Sequence, residues 1–290
     1  MRVVGLFQTP IAIKKAIFFS FFLIVLSLFS SGKVMAQGNL LITPRRVVFE
    51  GKKRMQELNL ANTGKDTATY NISFKQIRMT EGGEFVEITQ PDMGQNFASD
   101  NLRFFPRRVT LAPNEAQLVK MQLTKINQLQ SGEYRSHIYF RSVPQKKPLG
   151  EKEDRSKAKG LSVSLTPVFG ITIPVIIRRG ESTAQVSLSN LELIRDEDQT
   201  FKLKLKFDRT GNMSVYGDIR VDYISPEGKL SQIGLVKGFA VYSPTLARTF
   251  SMKLDNQDGI DYTKGKLHLV YSRQKADKGG VLCEAELNLH

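Results

Sequence analysis

Phe201, Leu203, Leu205 and Phe207 alternate without a break with Lys202, Lys204 and Lys206. Successive side chains of a strand point to opposite faces, so this spelling makes one apolar and one cationic face. The same period of two recurs in Leu58 and Leu60, and in Tyr70, Ile72 and Phe74, which reach Ile77 with one slip. It recurs again in Leu118, Met121 and Leu123, in Tyr134, Ile138 and Phe140, in Leu267, Leu269 and Tyr271, and in Leu287 and Leu289. Beyond the N-terminal segment no long stretch carries the helical period. Turn formers separate the runs: Asn62-Thr63-Gly64, Glu81-Gly82-Gly83, Ala112-Pro113-Asn114, Ser131-Gly132, Thr210-Gly211-Asn212, Ser225-Pro226-Glu227-Gly228 and Lys278-Gly279-Gly280. Many short strands spaced by such turns predict β-sandwiches. A chain of 290 residues is long for one sandwich and suits two. The expected boundary is the polar break Arg178-Arg179-Gly180-Glu181-Ser182, giving domains 37–179 and 180–290 with a hinge near Arg179-Gly180.

Residues 1–36 have the layout of an export signal. Arg2, Lys14 and Lys15 precede an apolar run from Ala16 to Phe29, and Val34-Met35-Ala36 follows as a cleavage site. The run is short of the roughly 20 residues a membrane span needs. Cleavage after Ala36 and a periplasmic location are expected, with no stable membrane insertion afterwards; an uncleaved anchor is the alternative.

The formal charge is +14, and loss of Arg2, Lys14, Lys15 and Lys33, with no acid before Gln37, leaves +10. The cations are scattered through strand-like segments rather than gathered on a basic helix. That pattern suits acidic partners and solubility rather than nucleic acid. Cys283 is the one cysteine, so no intrachain disulfide can form, and its setting Val281-Leu282-Cys283-Glu284-Ala285 reads as a core thiol.

Catalytic chemistry is not spelled. His137, His268 and His290 are far apart in sequence, and the first two fall in strand-like runs as structural or solvated residues. There is no zinc-protease, nucleophile-elbow or phosphate-loop signature. Arg195-Asp196-Glu197-Asp198 lacks the spaced ligands of a calcium loop and reads as a solvated turn. No cofactor, no metal and no enzyme activity are expected.

Two stretches carry more information. Gln145 to Gly160 is almost wholly polar and predicts a mobile loop, read either as a hairpin tip or as a segment that orders on a partner. After it, Leu161, Val163, Leu165, Phe169, Ile171 and Ile173 share one face of an unusually long strand interrupted by Pro167. Proline inside a strand points to an edge or a bulge. A long apolar edge must be covered, and another chain's strand could cover it. An ordinary core strand with a bulge at Pro167 is the other reading.

From about Leu41 to the C-terminus, the order of elements resembles the periplasmic pilus-assembly chaperones of the PapD type. The likeness rests on Pro44-Arg45-Arg46-Val47-Val48-Phe49-Glu50-Gly51, on Leu58-Asn59-Leu60-Ala61-Asn62-Thr63, and on Phe105-Pro106-Arg107-Arg108-Val109 continuing through Pro113 to Met121. It rests also on Glu133 through Pro144 and, in the second half, on Asp208 through Asp218, which looks like the turn and strand of a divergent branch.

The resemblance implies an all-β fold of two immunoglobulin-like β-sandwich domains at an angle. It implies a chaperone that caps pilus or fimbria subunits by donating an edge strand, preventing their aggregation before assembly. Pilin-like subunits and an outer-membrane assembly usher would be the partners. The donor residues would be Leu161, Val163, Leu165 and Phe169. Arg46 would anchor the client's C-terminal carboxylate, against the plain reading of a solvated strand charge. The family's second anchor is a lysine, and spacing back from Arg178 puts Pro174 there. A secreted immunoglobulin-like adhesin or surface-structural module is the alternative function, with a secreted enzyme behind it.

Overall fold

The computed structural model describes residues 39–144, 167–197, 200–255, 257, 259–274 and 279–289. Leu40–His290 is one compact unit. Its strands are β1 (Leu40–Thr43), β2 (Val47–Phe49), β3 (Met55–Asn62), β4 (Ala68–Lys75), β5 (Ile77–Met79), β6 (Phe85–Glu87), β7 (Leu102–Phe105), β8 (Arg108–Leu111), β9 (Ala116–Leu123), β10 (Gly132–Val143) and β11 (Gly170–Arg179). After Gly180–Ala184 follow β12 (Gln185–Arg195), β13 (Phe201–Thr210), β14 (Val215–Ile224), β15 (Leu230–Val241), β16 (Ala247–Lys253), β17 (Lys266–Ser272) and β18 (Val281–Asn288).

The first eleven strands make a sandwich of two sheets, ordered β1-β3-β9-β7 and β2-β11-β10-β4-β8, with β5-β6 as a separate hairpin. One sheet thus holds the first, second, fourth and fifth strands of an immunoglobulin pattern and the other holds the third, sixth and seventh, with the first and fourth strands each divided between sheets. The remaining strands make a second sandwich, ordered β12-β13-β16 and β15-β14-β17-β18. Each sandwich has its own core. Leu58, Leu60, Leu111, Val119, Met121, Ile138, Phe140 and Val175 are fully buried in the first. Leu203, Leu205, Phe207, Ile219, Val221, Leu267, Leu269 and Tyr271 are fully buried in the second.

The chain contains no tryptophan, and the second core is instead centred on Phe207, which lies 4.4 Å from the Phe239 ring and 5.2 Å from that of Tyr271. The Tyr271 hydroxyl donates to the Phe239 carbonyl at 3.0 Å, the partner a buried phenol requires. Alternation locates the core face of most strands, but β9 is an exception. Val119, not Leu118, joins Met121 and Leu123 inside, and Leu118 is 46% exposed. Strict period two over Val119, Met121 and Leu123 wins over the slipped register.

Asn62 illustrates how a turn is fixed. Its side-chain amide is buried and donates to the carbonyls of Asp66 (2.8 Å), Leu111 (3.0 Å) and Ala112 (3.2 Å), and its Oδ1 accepts from the Gly64 N–H at 2.9 Å. One amide therefore ties the turn after β3 to the end of β8. Asn62→Ala leaves several buried groups without partners, and the expected loss is about 2–3 kcal/mol, measured by urea unfolding. A loss below ~0.5 kcal/mol, the range of an ordinary surface change, would contradict this account.

Candidate functional site

β10 sends Ile138 and Phe140 into the first core, which turns Glu133, Arg135 and His137 to the opposite face. That face is not wet. Glu133, Arg135 and His137 are 4%, 3% and 3% exposed, because the start of β14, the segment after β15 and the β5–β6 hairpin cover them. The Glu133 carboxylate accepts from Arg178 Nε at 3.2 Å, from the Ser214 N–H at 3.1 Å and from the Ser214 hydroxyl. Arg178 Nη2 donates in turn to the Ser214 carbonyl at 2.8 Å. A charged pair on the first sandwich is thereby closed by the backbone of the second.

Arg135 Nη2 donates to the Ser243 carbonyl at 3.1 Å, and its guanidinium lies 4.5 Å above the Tyr242 ring. The ring face takes the place of acceptors for the rest of the group. Burial pulls the Arg135 pKa down, opposed by Tyr242 and Glu133. Burial likewise pushes the Tyr242 phenol up, while the charges of Arg46 and Arg135 oppose that rise.

The β5–β6 hairpin crosses to the second sandwich. The Thr245 hydroxyl donates to the Met79 carbonyl at 2.6 Å, and the Thr249 N–H and hydroxyl both donate to the Glu81 carbonyl, at 2.7 and 3.1 Å. Met79 is buried with Ile176, Ala240 and Tyr242 in a small apolar cluster of its own. Gly83 at the hairpin tip has φ +84°, and a Cβ there would lie 2.6 Å from Arg248 Nε, so position and conformation both call for glycine. Arg209 organises the facing loop. Its guanidinium donates to the carbonyls of Thr245 (3.0 Å), Gly211 (2.9 Å) and Met213 (2.9 Å), and Ser214 follows directly.

Arg46 lies in the link between β1 and β2, with its guanidinium 4.2 Å from the centroid of the Tyr216 ring on β14. It is thus part of this interface. Pro174 is half-buried and stands opposite His137 across the β10–β11 ladder, so the nearest titratable side chain in register is an imidazole rather than an ammonium. Burial and the neighbouring Arg135 charge hold that imidazole down to about 3.

β11 is covered unevenly. β10 pairs with its whole length, but β2 pairs only with Val175, Ile176 and Ile177. Val168 and Phe169, just before it, are 43% and 40% exposed, and Phe169 is tied to Ser142 by 2.8 Å hydrogen bonds at its N–H and its carbonyl. The described strand begins at Gly170, after Pro167 rather than through it. The parallel register of β2, extended back by one residue, sets Arg46 beside Pro174, five residues along β11 from Phe169, or ~17 Å. Leu161, Val163 and Leu165, together with the polar stretch Gln145 to Gly160, lie outside the described residues.

Elsewhere, Cys283 is half-buried and its thiol is pushed up to about 11 by burial. His268 sits 3.4 Å from Glu284, and Asp196 pairs with Lys202. Among the described residues no group of three or more His, Cys, Asp or Glu is placed to hold a metal.

The interface residues Glu133, Arg135 and His137 escape a reading by alternation, which assigns the polar face of β10 to solvent. The signal available was the next strand: Val175-Ile176-Ile177 is apolar on both faces, the spelling of a strand covered on both sides.

Fold and interface together define an all-β protein of two immunoglobulin-like sandwiches joined through buried charge. No family model matches the chain, and no curated protein matches it in sequence. Solved structures similar to it include the YadV chaperone, at 15% identity over 87% of this chain and 100% of that one, with a TM-score of 0.42. A second is from the Salmonella enterica SafA pilin–SafB chaperone complex, at 15% identity over 86% and 96%, TM-score 0.38. A third is the E. coli chaperone DraB, at 12% identity over 87% and 96%, TM-score 0.37.

Proposed function

We propose that this chain is a periplasmic chaperone that caps pilus- or fimbria-type subunits by lending them a strand. The observation that carries the reading is the half-open β11, which among the described residues has a strand on both sides only at Val175–Ile177. Toward its N-terminus the sequence continues in alternation through Phe169, Leu165, Val163 and Leu161. An incomplete sandwich could take these side chains into its groove while its own strand pairs along the open edge. Each buried side chain of this size contributes roughly 1.5–3 kcal/mol, against which the ordering of the donor segment counts. Arg46, near the closed end of the edge, would receive the client's C-terminal carboxylate in a two-bond clamp. Delivery to an outer-membrane usher and export by cleavage after Ala36 belong to the same reading.

The test is co-purification from periplasm, with identification of the bound subunits. The variant combining Leu161→Ser, Val163→Ser and Leu165→Ser is expected to melt like the parent and to capture no subunit. Arg46→Ala should weaken capture by about tenfold or more, as removal of one partner of a charged contact does. Early unfolding of the triple variant would instead assign these residues to the chain's own core, where each truncation costs ~2–5 kcal/mol.

A further inference from the structure

The outward face of the β1-β3-β9-β7 sheet carries a groove of about 640 Å³ that the proposed chaperone action does not use. Phe105 at its edge is 76% exposed and Met55 on its far side 59% exposed. Both belong to strands whose alternate residues fill the core, so both are held outward by the same pleat. Arg103, Arg107, Lys120 and Lys125 also line it, against the single acid Asp100. Of these cations Lys120 has a carboxylate nearby, Glu57 at 3.8 Å, while Arg107 rests 4.9 Å over the Phe104 ring. Lys125 is held at φ 53°, a conformation uncommon for a residue with a side chain. The groove ends at β7, a four-residue strand with β9 on one side and no strand on the other among the described residues.

We infer that this groove docks an extended, acidic segment of a partner protein, added along β7. The occupant follows from the spelling of the edge. Arg103 and Phe105 stand two residues apart on one face. A strand laid beside them meets both if its outward side chains read acid and then large apolar, at the same spacing. Lys120 stands opposite Phe105 in register, and Gln122 opposite Arg103, so the charge surplus continues inward from the edge. The inference does not depend on the chaperone reading, since the groove shares no residue with β11 or with the interface between the sandwiches.

The test uses a fluorescent peptide of ~8 residues, a typical strand length, with Glu and Phe alternating along one face and Ser along the other. Saturable binding to the full chain is expected, weakened on raising ionic strength from ~0.05 to ~0.5 M. Phe105→Ser and Arg103→Glu should each weaken it by about tenfold or more, while Lys204→Glu, on the second sandwich, should leave it unchanged. Met55→Ser replaces Phe105→Ser if the latter melts early. Absence of saturable binding would overturn the proposal. So would an equal loss in Lys204→Glu, which would mark a general attraction to a cationic chain. Binding to phosphatidylglycerol vesicles without binding to the peptide, lost in the groove variants, would assign the surface to lipid instead.

Discussion

Glu133→Ala is expected to lower the free energy of unfolding by about 3–5 kcal/mol, the cost of breaking a buried charged pair from one side. The carboxylate accepts from Arg178, from the Ser214 N–H and from the Ser214 hydroxyl. Its removal leaves Arg178 Nε and the Ser214 amide without their acceptor in a region closed to water. Part of the Arg178 side chain, 18% exposed, can turn to solvent, which puts the loss at the lower end of the range. Glu133→Gln keeps the shape and one acceptor and should cost less. The pair ties two sandwiches with separate cores, so the loss should fall on their coupling. The parent should unfold in one transition and Glu133→Ala in two. Urea unfolding followed by near-ultraviolet and far-ultraviolet signals distinguishes these. A double-mutant cycle with Arg178→Met should return a coupling of ~1 kcal/mol or more, because the two residues share one network. A single transition with a loss under ~1 kcal/mol would show that the hairpin contacts, not this pair, hold the sandwiches together.

The two sandwiches were legible because alternation and turn residues agree along most of the chain. Leu203, Leu205 and Phe207 against their lysines give one face and one register, and the core is where they point. What alternation cannot report is what covers the other face. On β13 the polar face does meet solvent at Lys204, but on β10 the equally polar Glu133, Arg135 and His137 are buried by the β5–β6 hairpin and by segments of the second sandwich, all distant from them in sequence. Glu133 and Arg135 can occupy such a face because they find partners there, Arg178 and Ser214 for the carboxylate and the Ser243 carbonyl and Tyr242 ring for the guanidinium, none of which alternation announces; His137 sits among them with its Nδ1 unpartnered among the described residues. The hairpin was visible only as Glu81-Gly82-Gly83; its role depends on carbonyls at Met79 and Glu81 meeting threonines of the second sandwich. Arg46 was reached through resemblance, and its neighbour Tyr216 had no signal of its own. The groove on β3, β7 and β9 was hidden for a related reason: Met55 and Phe105 are apolar residues on the wet face, which hydrophobic spelling assigns to the core.

Acidification should destabilise the protein through His137, and His137→Leu should remove that part of the loss. The imidazole lies between the β5–β6 hairpin and β11, with the Phe85 ring 5.9 Å away, Pro174 opposite on one strand and Lys75 opposite on the other. Its Nδ1 is buried with no hydrogen-bond partner among the described residues, and no carboxylate is paired with it to favour a charge. Desolvation first, and Arg135 second, hold its pKa down to about 3 against an ordinary value of 6.5. Between those values the unfolded chain binds a proton that the folded chain refuses. Stability from this residue is therefore fully present above pH ~6.5 and drains as pH falls, with a slope approaching ~1.4 kcal/mol per unit. At pH 5 the loss from His137 alone is roughly 2 kcal/mol. Asp208 and Asp261, whose pKa values are lowered by hydrogen bonds from Ser189 and Thr263, also lose stability in acid, but they do so equally in parent and variant. The comparison of the two proteins isolates the imidazole. At pH 7 His137→Leu should match or exceed the parent, because it removes a buried nitrogen that has no partner. At pH 5 it should be the more stable by a further ~2 kcal/mol, read from urea unfolding at both pH values. Parallel losses in the two proteins would mean that the folded state accepts the proton, by opening the hairpin or by admitting water beside Arg135.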